Sequence, residues 1–236
     1  MKEEYEILSQ NEDFPLFMQP WFLELVSRDE GKGWDAIVVK SPKDDILGAM
    51  GFHWTKKYGL HMVLMPALIP SVGVWFNHKE GENVYTRRNR ETQVLEYIAK
   101  WFSASRYCYV DMVFGSEVSN LLPFAWHGYE LNVRYTFVVP DITTPDELLN
   151  SYHQMKRRQV KKASRDHRCV VDVLTPEQYY DEYSKLLAER KQESVMYSKQ
   201  YFCSLASSAI ERGHGAILSI VDKGGRVCTS LFVLWD

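Results

Sequence analysis

Hydrophobic and polar residues follow two different periods along this chain, which predicts a mixture of helices and strands. Apolar side chains three and four residues apart predict helices over residues 13–28, 86–105, 144–168, 175–192 and 198–212, with a short helix or turn over 117–126. Runs rich in β-branched and aromatic residues predict strands over residues 35–40, 46–54, 58–65, 107–114, 129–139, 169–174, 216–222 and 226–235. Pro20 is expected to divide the first helix into two pieces. This order of elements is typical of an α/β or α+β fold.

A helix followed by a hairpin occurs twice in this pattern. The segment QPWFLELV at residues 19–26 aligns with KQYFCSLA at residues 199–206. At the same offset of 180 residues, DAI at 35–37 aligns with GAI at 215–217. Both predicted hairpins also end near a tryptophan, Trp54 and Trp235. The constant offset across the loop favours an internal repeat over chance similarity.

The repeat predicts two tandem units of unequal length. The linker PDITTP at residues 140–145 is the best candidate boundary, so we expect domains at 1–140 and 141–236. After Trp54 the first unit continues through a strand, a long helix and two more strands, whereas the second copy stops one residue after Trp235. We therefore expect the second unit to be incomplete, in a fragment, a naturally shortened protein or half of an assembly. The last strand then needs a neighbour, and one candidate is a second copy of this chain in a homo-oligomer.

The predicted helix over residues 144–168 carries an unusual concentration of positive charge. Thr144, Pro145 and Glu147 have the spacing of a capping box with proline at the first helical position. No acidic residue interrupts the six cations that follow, which are Lys156, Arg157, Arg158, Lys161, Lys162 and Arg165. In a chain with a formal net charge of −3, this helix predicts a site for an anion. The alternative is a solvated surface whose later cations complement the helix dipole.

Composition restricts the class of protein. An apolar content of 45% supports a packed core and argues against long disordered stretches. The acidic start MKEEYEILSQ is unlike a secretory signal, and the longest apolar run, residues 62–76, is interrupted by Pro66 and Pro70. We therefore expect a cytoplasmic protein without a membrane span. The four widely separated cysteines are expected to be reduced and mostly buried.

Motifs for metal, nucleophilic or nucleotide chemistry do not occur in the sequence. The seven histidines lack the HxH and HxxxH spacings, so no metal site is expected. The segment RGHGA at residues 212–216 resembles the coenzyme A pyrophosphate loop of GNAT-type N-acetyltransferases, but such a loop must follow a strand and open a helix. Here the order is reversed, so we interpret the segment as a glycine helix stop. The equivalent place in the first unit, residues 77–85, has no basic glycine loop, and we expect no coenzyme A site there.

Residues 123–163 resemble the junction of the Fem family (FemABX) of peptidoglycan-bridge aminoacyltransferases. PFAWHGYELNVRYTFVVPD is followed by a short linker and LLNSYHQMKRRQVKKA. The matching residues are Phe124, Trp126, Gly128, Glu130, Arg134, Tyr135, Thr136, Lys156, Arg157, Arg158, Lys161, Lys162 and Ala163.

This resemblance implies two tandem acetyltransferase-like (GNAT-like) units with mixed sheets, in agreement with the repeat. It implies a bacterial acyltransferase that transfers an aminoacyl group from aminoacyl-tRNA to an amine of a cell-wall precursor, with no metal and no covalent enzyme intermediate. The cationic residues Lys156, Arg157, Arg158, Lys161 and Lys162 would then contact tRNA or a nucleotide-linked precursor. The weaker candidates for substrate contact are Trp126, Arg134 and Tyr135.

Two other functions remain open at this point. One is an acetyl-coenzyme A-dependent N-acetyltransferase, which requires a pyrophosphate loop. The other is a non-catalytic protein whose cationic helix binds RNA or an acidic partner. Because the second unit lacks its later strands and helix, the sequence leaves open both an active and an inactive form of this chain. It identifies no catalytic residue.

Overall fold

The computed structural model describes residues 1–29, 32–139, 142–190 and 194–236. The chain divides into two compact units. The first unit comprises Met1–Leu131, Met196–Leu205 and Asp236, and the second comprises Asn132–Val195 and Ala206–Trp235. The expected boundary at residues 140–141 lies outside the described residues. The division into domains 1–140 and 141–236 therefore stays a prediction.

The first unit begins with two helices, α1 (Lys2–Asn11) and α2 (Pro20–Asp29), separated by a 3₁₀ turn at Leu16–Met18. Pro20 opens α2, so the predicted division of this stretch into two pieces is confirmed. The remaining elements of this part of the chain are β1 (Gly33–Lys40), β2 (Ile46–Lys57), β3 (Leu60–Val63), β4 (Trp75–Phe76), α3 (Val84–Ala104), β5 (Tyr107–Val110) and α4 (Leu122–Trp126).

The strands of the first unit form one mixed sheet in the order β1-β2-β3-β5, with β4 paired to β2. The predicted hairpin is present, because β1 and β2 pair antiparallel with Ala36 opposite Gly51. Strand β3 continues antiparallel beside β2, and β5 joins β3 in parallel. A parallel neighbour requires a crossover, which α3 provides.

Both faces of this sheet are buried. On one face α3 places Val94, Ile98 and Phe102 against Met50 and Phe52 of β2. On the other face, residues of α1 and the α2 region, including Tyr5 and Leu23, pack with Trp34 and Ala49. Gly51 permits this close approach, since a Cβ there would lie 2.5 Å from Leu23 Cδ1.

Helix α1 was not predicted from the sequence, in which the acidic start served only to argue against a secretory signal. Its two buried residues, Tyr5 and Leu8, lie three positions apart among charged neighbours. The Tyr5 hydroxyl donates a 2.8 Å hydrogen bond to the Met18 carbonyl, which joins α1 to the 3₁₀ turn. Burial raises the pKa of Tyr5.

The second unit is mainly antiparallel. Its elements are α5 (Pro145–Ser151), α6 (Gln154–Asp166), β6 (His167–Val171), α7 (Pro176–Glu189), α8 (Lys199–Glu211), β7 (Gly215–Asp222) and β8 (Val227–Leu234), with the first half of α8 grouped in the first unit. The sheet order is β6-β7-β8. Within the described residues β8 pairs only with β7, and the predicted homo-oligomer through its other edge stays a prediction.

The two copies of the repeat have the same local structure, helix followed by hairpin. The α2-β1-β2 segment corresponds to α8-β7-β8. Each hairpin has a register irregularity next to its turn, at Val39/Lys40 and at Ile220/Val221. The RGHGA segment is a helix stop, as expected, because Gly213 has φ +77° and follows the last turn of α8.

Several expectations are wrong. The alternating segment 129–139 forms no strand, and Tyr135 and Phe137 are almost fully exposed. Alternation supports a strand only where a partner edge is available, and none of the described strands pairs with this segment. The cysteines are free, but Cys108, Cys169 and Cys228 are exposed, since they lie at solvent-facing positions of β5, β6 and β8.

The prediction of one continuous helix over residues 144–168 is also wrong. It is interrupted at Tyr152 and His153, so α5 and α6 are separate. Thr144 precedes α5 without making a side-chain cap, whereas the equivalent Thr175 and Gln178 form a complete capping box at α7. Among the described helices, none is long and apolar enough to cross a membrane.

His53 provides a test of the core of the first unit. Its Nδ1 lies 3.0 Å from the Ser27 hydroxyl, and burial lowers the pKa of His53 to about 3, with a smaller contribution from Lys32. The unfolded chain therefore takes up a proton near pH 6.5 that the folded chain excludes. We expect the free energy of unfolding to fall by up to about 1.4 kcal/mol per pH unit between pH 6.5 and pH 3 because of this residue, with no loss above pH 6.5.

Urea denaturation across pH 4–8 measures this slope. His53→Gln should reduce the acid-side slope, while His127→Gln, which changes a partly exposed histidine of the same unit, should leave it unchanged. Equal slopes in the native protein and His53→Gln would contradict the assignment.

Candidate functional site

Helix α6 carries the predicted cationic residues and is fixed at both ends. At its start, Nδ1 of His153 accepts a 3.4 Å hydrogen bond from the Met155 amide. At its end, the Asp166 carboxylate forms a 2.6 Å ion pair with Lys223 in the turn between β7 and β8. That hydrogen bond lowers the pKa of Asp166. The helix then passes directly into β6 at His167.

Five of the six cations form a continuous row along one side of α6. Positions three and four apart are neighbours on a helix, so each member of the row has another as its neighbour. The row consists of Arg157, Arg158, Lys161, Lys162 and Arg165. It extends about 12 Å from its first to its last Cα. Lys156 lies on the other side of the helix, together with Val160 and Ala163.

These cations are accessible to solvent. Arg157 is partly buried, and the other five are exposed. Arg157 donates a 3.3 Å hydrogen bond to the Asn150 carbonyl, which links α6 to α5. In the described part of the chain, no carboxylate lies within ion-pair distance of the row. Each like-charge pair therefore disfavours the helix by roughly 0.2–0.5 kcal/mol.

The helix dipole explains only one of these charges. Arg165 lies in the last turn, where a cation is favourable. Lys156 and Arg157 lie in the first turn, which contains no acidic residue, and there the dipole opposes positive charge. The row thus combines mutual repulsion with an unfavourable dipole. A bound anion would relieve both effects, and the anion-binding role of these residues stays a prediction.

Residues beyond the predicted set extend the positive surface at the end of α6. A cavity of about 320 Å³ there is lined by Arg165, Arg168 and Lys223, together with His167, Asp166 and Asp222. The two carboxylates compensate part of the charge, since Asp166 pairs with Lys223 and Asp222 with Arg226. Arg165 continues the i, i+4 row from Lys161, a spacing that the sequence already contains. Lys223 is far away in sequence, and only the pairing of β6 with β7 brings it here.

The remaining predicted site residues are Trp126, Arg134 and Tyr135. Arg134 and Tyr135 are exposed in the segment that forms no strand, and no described hydrogen bond or ion pair connects them to α6. Trp126 belongs to the first unit, where it ends α4 and is 62% exposed. Their role in substrate contact stays a prediction. Among the described residues, no group of three or more His, Cys, Asp or Glu side chains is arranged to hold a metal ion.

The start of α3 is the helix terminus at which the sequence analysis placed the equivalent of a coenzyme A loop in the first unit. Here the Asn83 side chain accepts a 2.9 Å hydrogen bond from the Thr86 amide and caps the helix. Glu82 lies beside this cap and forms a 2.5 Å ion pair with Arg90, which also hydrogen-bonds the Asn77 carbonyl. The terminus therefore carries its own acceptor and a neighbouring carboxylate.

Comparison with solved structures identifies a similar fold. The chain is similar to the crystal structure of FemX, with 14% sequence identity and a TM-score of 0.58. The match covers 93% of this chain and 56% of the FemX chain, so this chain spans little more than half of that protein. No family model and no curated protein sequence matches. The likeness shows a Fem-like α/β fold and confirms the fold class expected from the sequence.

Substitution of Arg158 tests whether repulsion within the cationic row destabilises α6, independently of any ligand. Arg158→Glu replaces two repulsions, with Lys161 and Lys162, by attractions and places an acidic residue near the start of α6. We expect α6 to become more stable by about 1 kcal/mol. Amide hydrogen exchange of residues 156–164 measures the change. Lys185→Glu on α7 is the control with the same change of charge, and slower exchange in both variants or in neither would refute the repulsion argument.

Proposed function

We propose that this chain is an acyltransferase-type protein of the Fem kind. It transfers an aminoacyl group to an amine, which we assign to a peptidoglycan precursor. The cationic row of α6 binds the anionic donor, for which aminoacyl-tRNA is the best candidate. The observation that carries the proposal is this uncompensated row within a chain of Fem-like fold.

The chemistry proposed for this fold makes modest demands on the protein. An uncharged amine attacks the ester carbonyl of the aminoacyl group, an amide bond forms, and the ester C–O bond breaks. The ribose hydroxyl of the tRNA is the leaving group, and the proton released by the amine restores that hydroxyl. Such a reaction depends on holding amine and ester together and on stabilising the developing oxyanion. Cations that fix the phosphates of a donor contribute to the first requirement.

The alternative donor, acetyl-coenzyme A, fits the described residues less well. A pyrophosphate is usually held by free backbone amides at a helix start. The Asn83 side chain already occupies the Thr86 amide at the start of α3, and the neighbouring Arg90 is already paired with the Glu82 carboxylate. In the second unit, RGHGA ends α8 and enters β7 instead of opening a helix. These features support aminoacyl-tRNA over coenzyme A as donor.

A non-catalytic RNA-binding protein is the second candidate function. It is favoured by the exposure of the α6 cations. In this case the chain binds tRNA through α6 and transfers nothing. The two candidates therefore share the binding surface and differ in the reaction.

The first test concerns binding. The double substitution Arg158→Glu with Lys162→Glu should weaken tRNA binding at least tenfold at low salt, because two phosphate contacts become repulsions. The slope of log K against log [salt] should fall by about 1.5, as expected for two contacts. Filter binding over 50–200 mM salt measures both quantities. Lys56→Glu with Lys57→Glu, two exposed residues at the end of β2, is the charge-matched control. Equal losses in both double variants would indicate that only net charge matters and would overturn the proposed surface.

The second test concerns the reaction. The native chain should transfer a radiolabelled amino acid from aminoacyl-tRNA to a nucleotide-linked peptidoglycan precursor, and the α6 double variant should be slower at subsaturating tRNA. tRNA binding without transfer would favour the non-catalytic function. Tight binding of coenzyme A in calorimetry, with no binding of tRNA, would replace the proposal by an N-acetyltransferase.

A further inference from the structure

A cavity in the first unit lies outside the acyl-transfer surface proposed above. It opens where α3 ends and β5 begins, beside the start of β1, and has a volume of about 410 Å³. It is lined by Asp35, Trp101, Ala104, Ser105, Arg106 and Tyr107. The lining thus brings together a carboxylate, a phenol, an indole and a guanidinium. A concave apolar site with a few converging polar groups is the usual form of a small-molecule pocket.

The Tyr107 hydroxyl is the most informative group of this cavity. Tyr107 is 6% exposed, and its hydroxyl oxygen is buried without a well-formed hydrogen bond to any described residue. The ring is held in place by Phe52 and Trp101, at centroid distances of 5.4 Å and 6.1 Å. Burial raises the pKa of Tyr107, and the side chain of Arg106, which approaches the hydroxyl without the geometry of a hydrogen bond, counteracts part of this rise. A buried hydroxyl without a partner is costly, and a ligand that supplies the missing bond explains its presence.

The Asp35 carboxylate also has unused capacity. Its Oδ1 accepts a 2.8 Å hydrogen bond from the Ala36 amide. No described cation lies within ion-pair distance of its oxygens, although the side chain is half-buried. Asp35 lies opposite Phe52 in the pairing of β1 with β2, so it faces the same side of the sheet as Tyr107. A partly desolvated carboxylate beside aromatic rings is suited to a cation.

A primary ammonium group satisfies these features together. It has three N–H donors and no acceptor. One donor serves the carboxylate of Asp35, a second serves the hydroxyl oxygen of Tyr107, and the positive charge lies near the indole of Trp101. A neutral ligand leaves the carboxylate without its counter-charge. An anionic group at this position would be repelled by Asp35.

Arg106 adds a second requirement. Its side chain is exposed, and its guanidinium carbon lies 5.5 Å from the ring centroids of both Trp54 and Tyr107. The guanidinium is therefore held at the solvent side of the cavity by two aromatic faces. Five N–H donors in a planar arrangement match a carboxylate. The anionic end of a ligand therefore lies outermost, and its ammonium end innermost.

We propose that this cavity binds a small zwitterion of the α-amino-acid class, with its ammonium group between Asp35 and Tyr107 and its carboxylate on Arg106. The site is independent of the acyl-transfer proposal, because it uses none of the residues of α6. Each of the two proposals can therefore be refuted without affecting the other.

The first experiment varies the ligand and leaves the protein unchanged. Binding of L-leucine, N-acetyl-L-leucine and 3-methylbutylamine is followed through the ¹H–¹⁵N NMR signals of Ser105–Tyr107 and the Trp101 indole. L-leucine should bind at least tenfold more tightly than N-acetyl-L-leucine, which lacks the ammonium charge. The affinity of 3-methylbutylamine, which lacks the carboxylate, should be intermediate. Equal affinity for leucine and its N-acetyl derivative, or no shift with leucine at 50 mM, would overturn the proposal.

The second experiment tests the binding role proposed for each side chain of the cavity. Asp35→Asn should weaken leucine binding at least tenfold, and Arg106→Gln should weaken leucine binding while leaving 3-methylbutylamine unaffected. Tyr107→Phe should weaken both ligands yet raise the Tm of the free protein, because it removes a buried hydroxyl without a partner. Tyr109→Phe, on an exposed position of the same strand, is the control and should change neither. A lower Tm for Tyr107→Phe together with unchanged leucine affinity would assign the hydroxyl a purely structural role and refute the site.

Discussion

Burial of β2 on both faces is the constraint on which the first unit depends. This strand pairs with β1, β3 and β4, and residues 48–53 are all buried. Successive side chains point to opposite faces. Helix α3 therefore packs against Met50 and Phe52, whereas α2 packs against Gly51 and His53. A shift by one residue would place His53 against α3 and Phe52 where only glycine fits. The same register puts Phe52 beneath the cavity of Tyr107.

The second unit has no comparable constraint. Its buried apolar side chains come from α8 and β7, namely Ala206, Ala209, Ala216, Ile217 and Val221. Helix α6 buries none of its residues, and Met155 and Val160 remain exposed. Its position is instead fixed by polar contacts, through Asn150 at one end and Lys223 at the other. An exposed helix with fixed ends holds its charges where the anionic donor proposed for α6 can reach them.

Local signals in the sequence predict most of the elements, and the failures have a common cause. The hairpins, the long helix α3 and the capping box at Thr175 were predictable because neighbouring residues determine them. The absent strand at 129–139 required knowledge of a partner edge, and the cavity of Tyr107 and Asp35 required the sheet order, which brings residues 72 positions apart together. The cationic residues of α6 were visible in the sequence, whereas Lys223 beside them was not. Their binding role stays a prediction.

The exposed segment Leu131–Val139 has a consequence for the behaviour of the protein at high concentration. Its alternating, β-prone side chains are open to solvent, with Phe137 fully exposed. Such a run favours pairing between molecules, and the driving force grows with concentration. Arg134 is the only charged residue within it. Its positive charge opposes the stacking of identical segments from different molecules, so Arg134 reduces the tendency of this segment to aggregate.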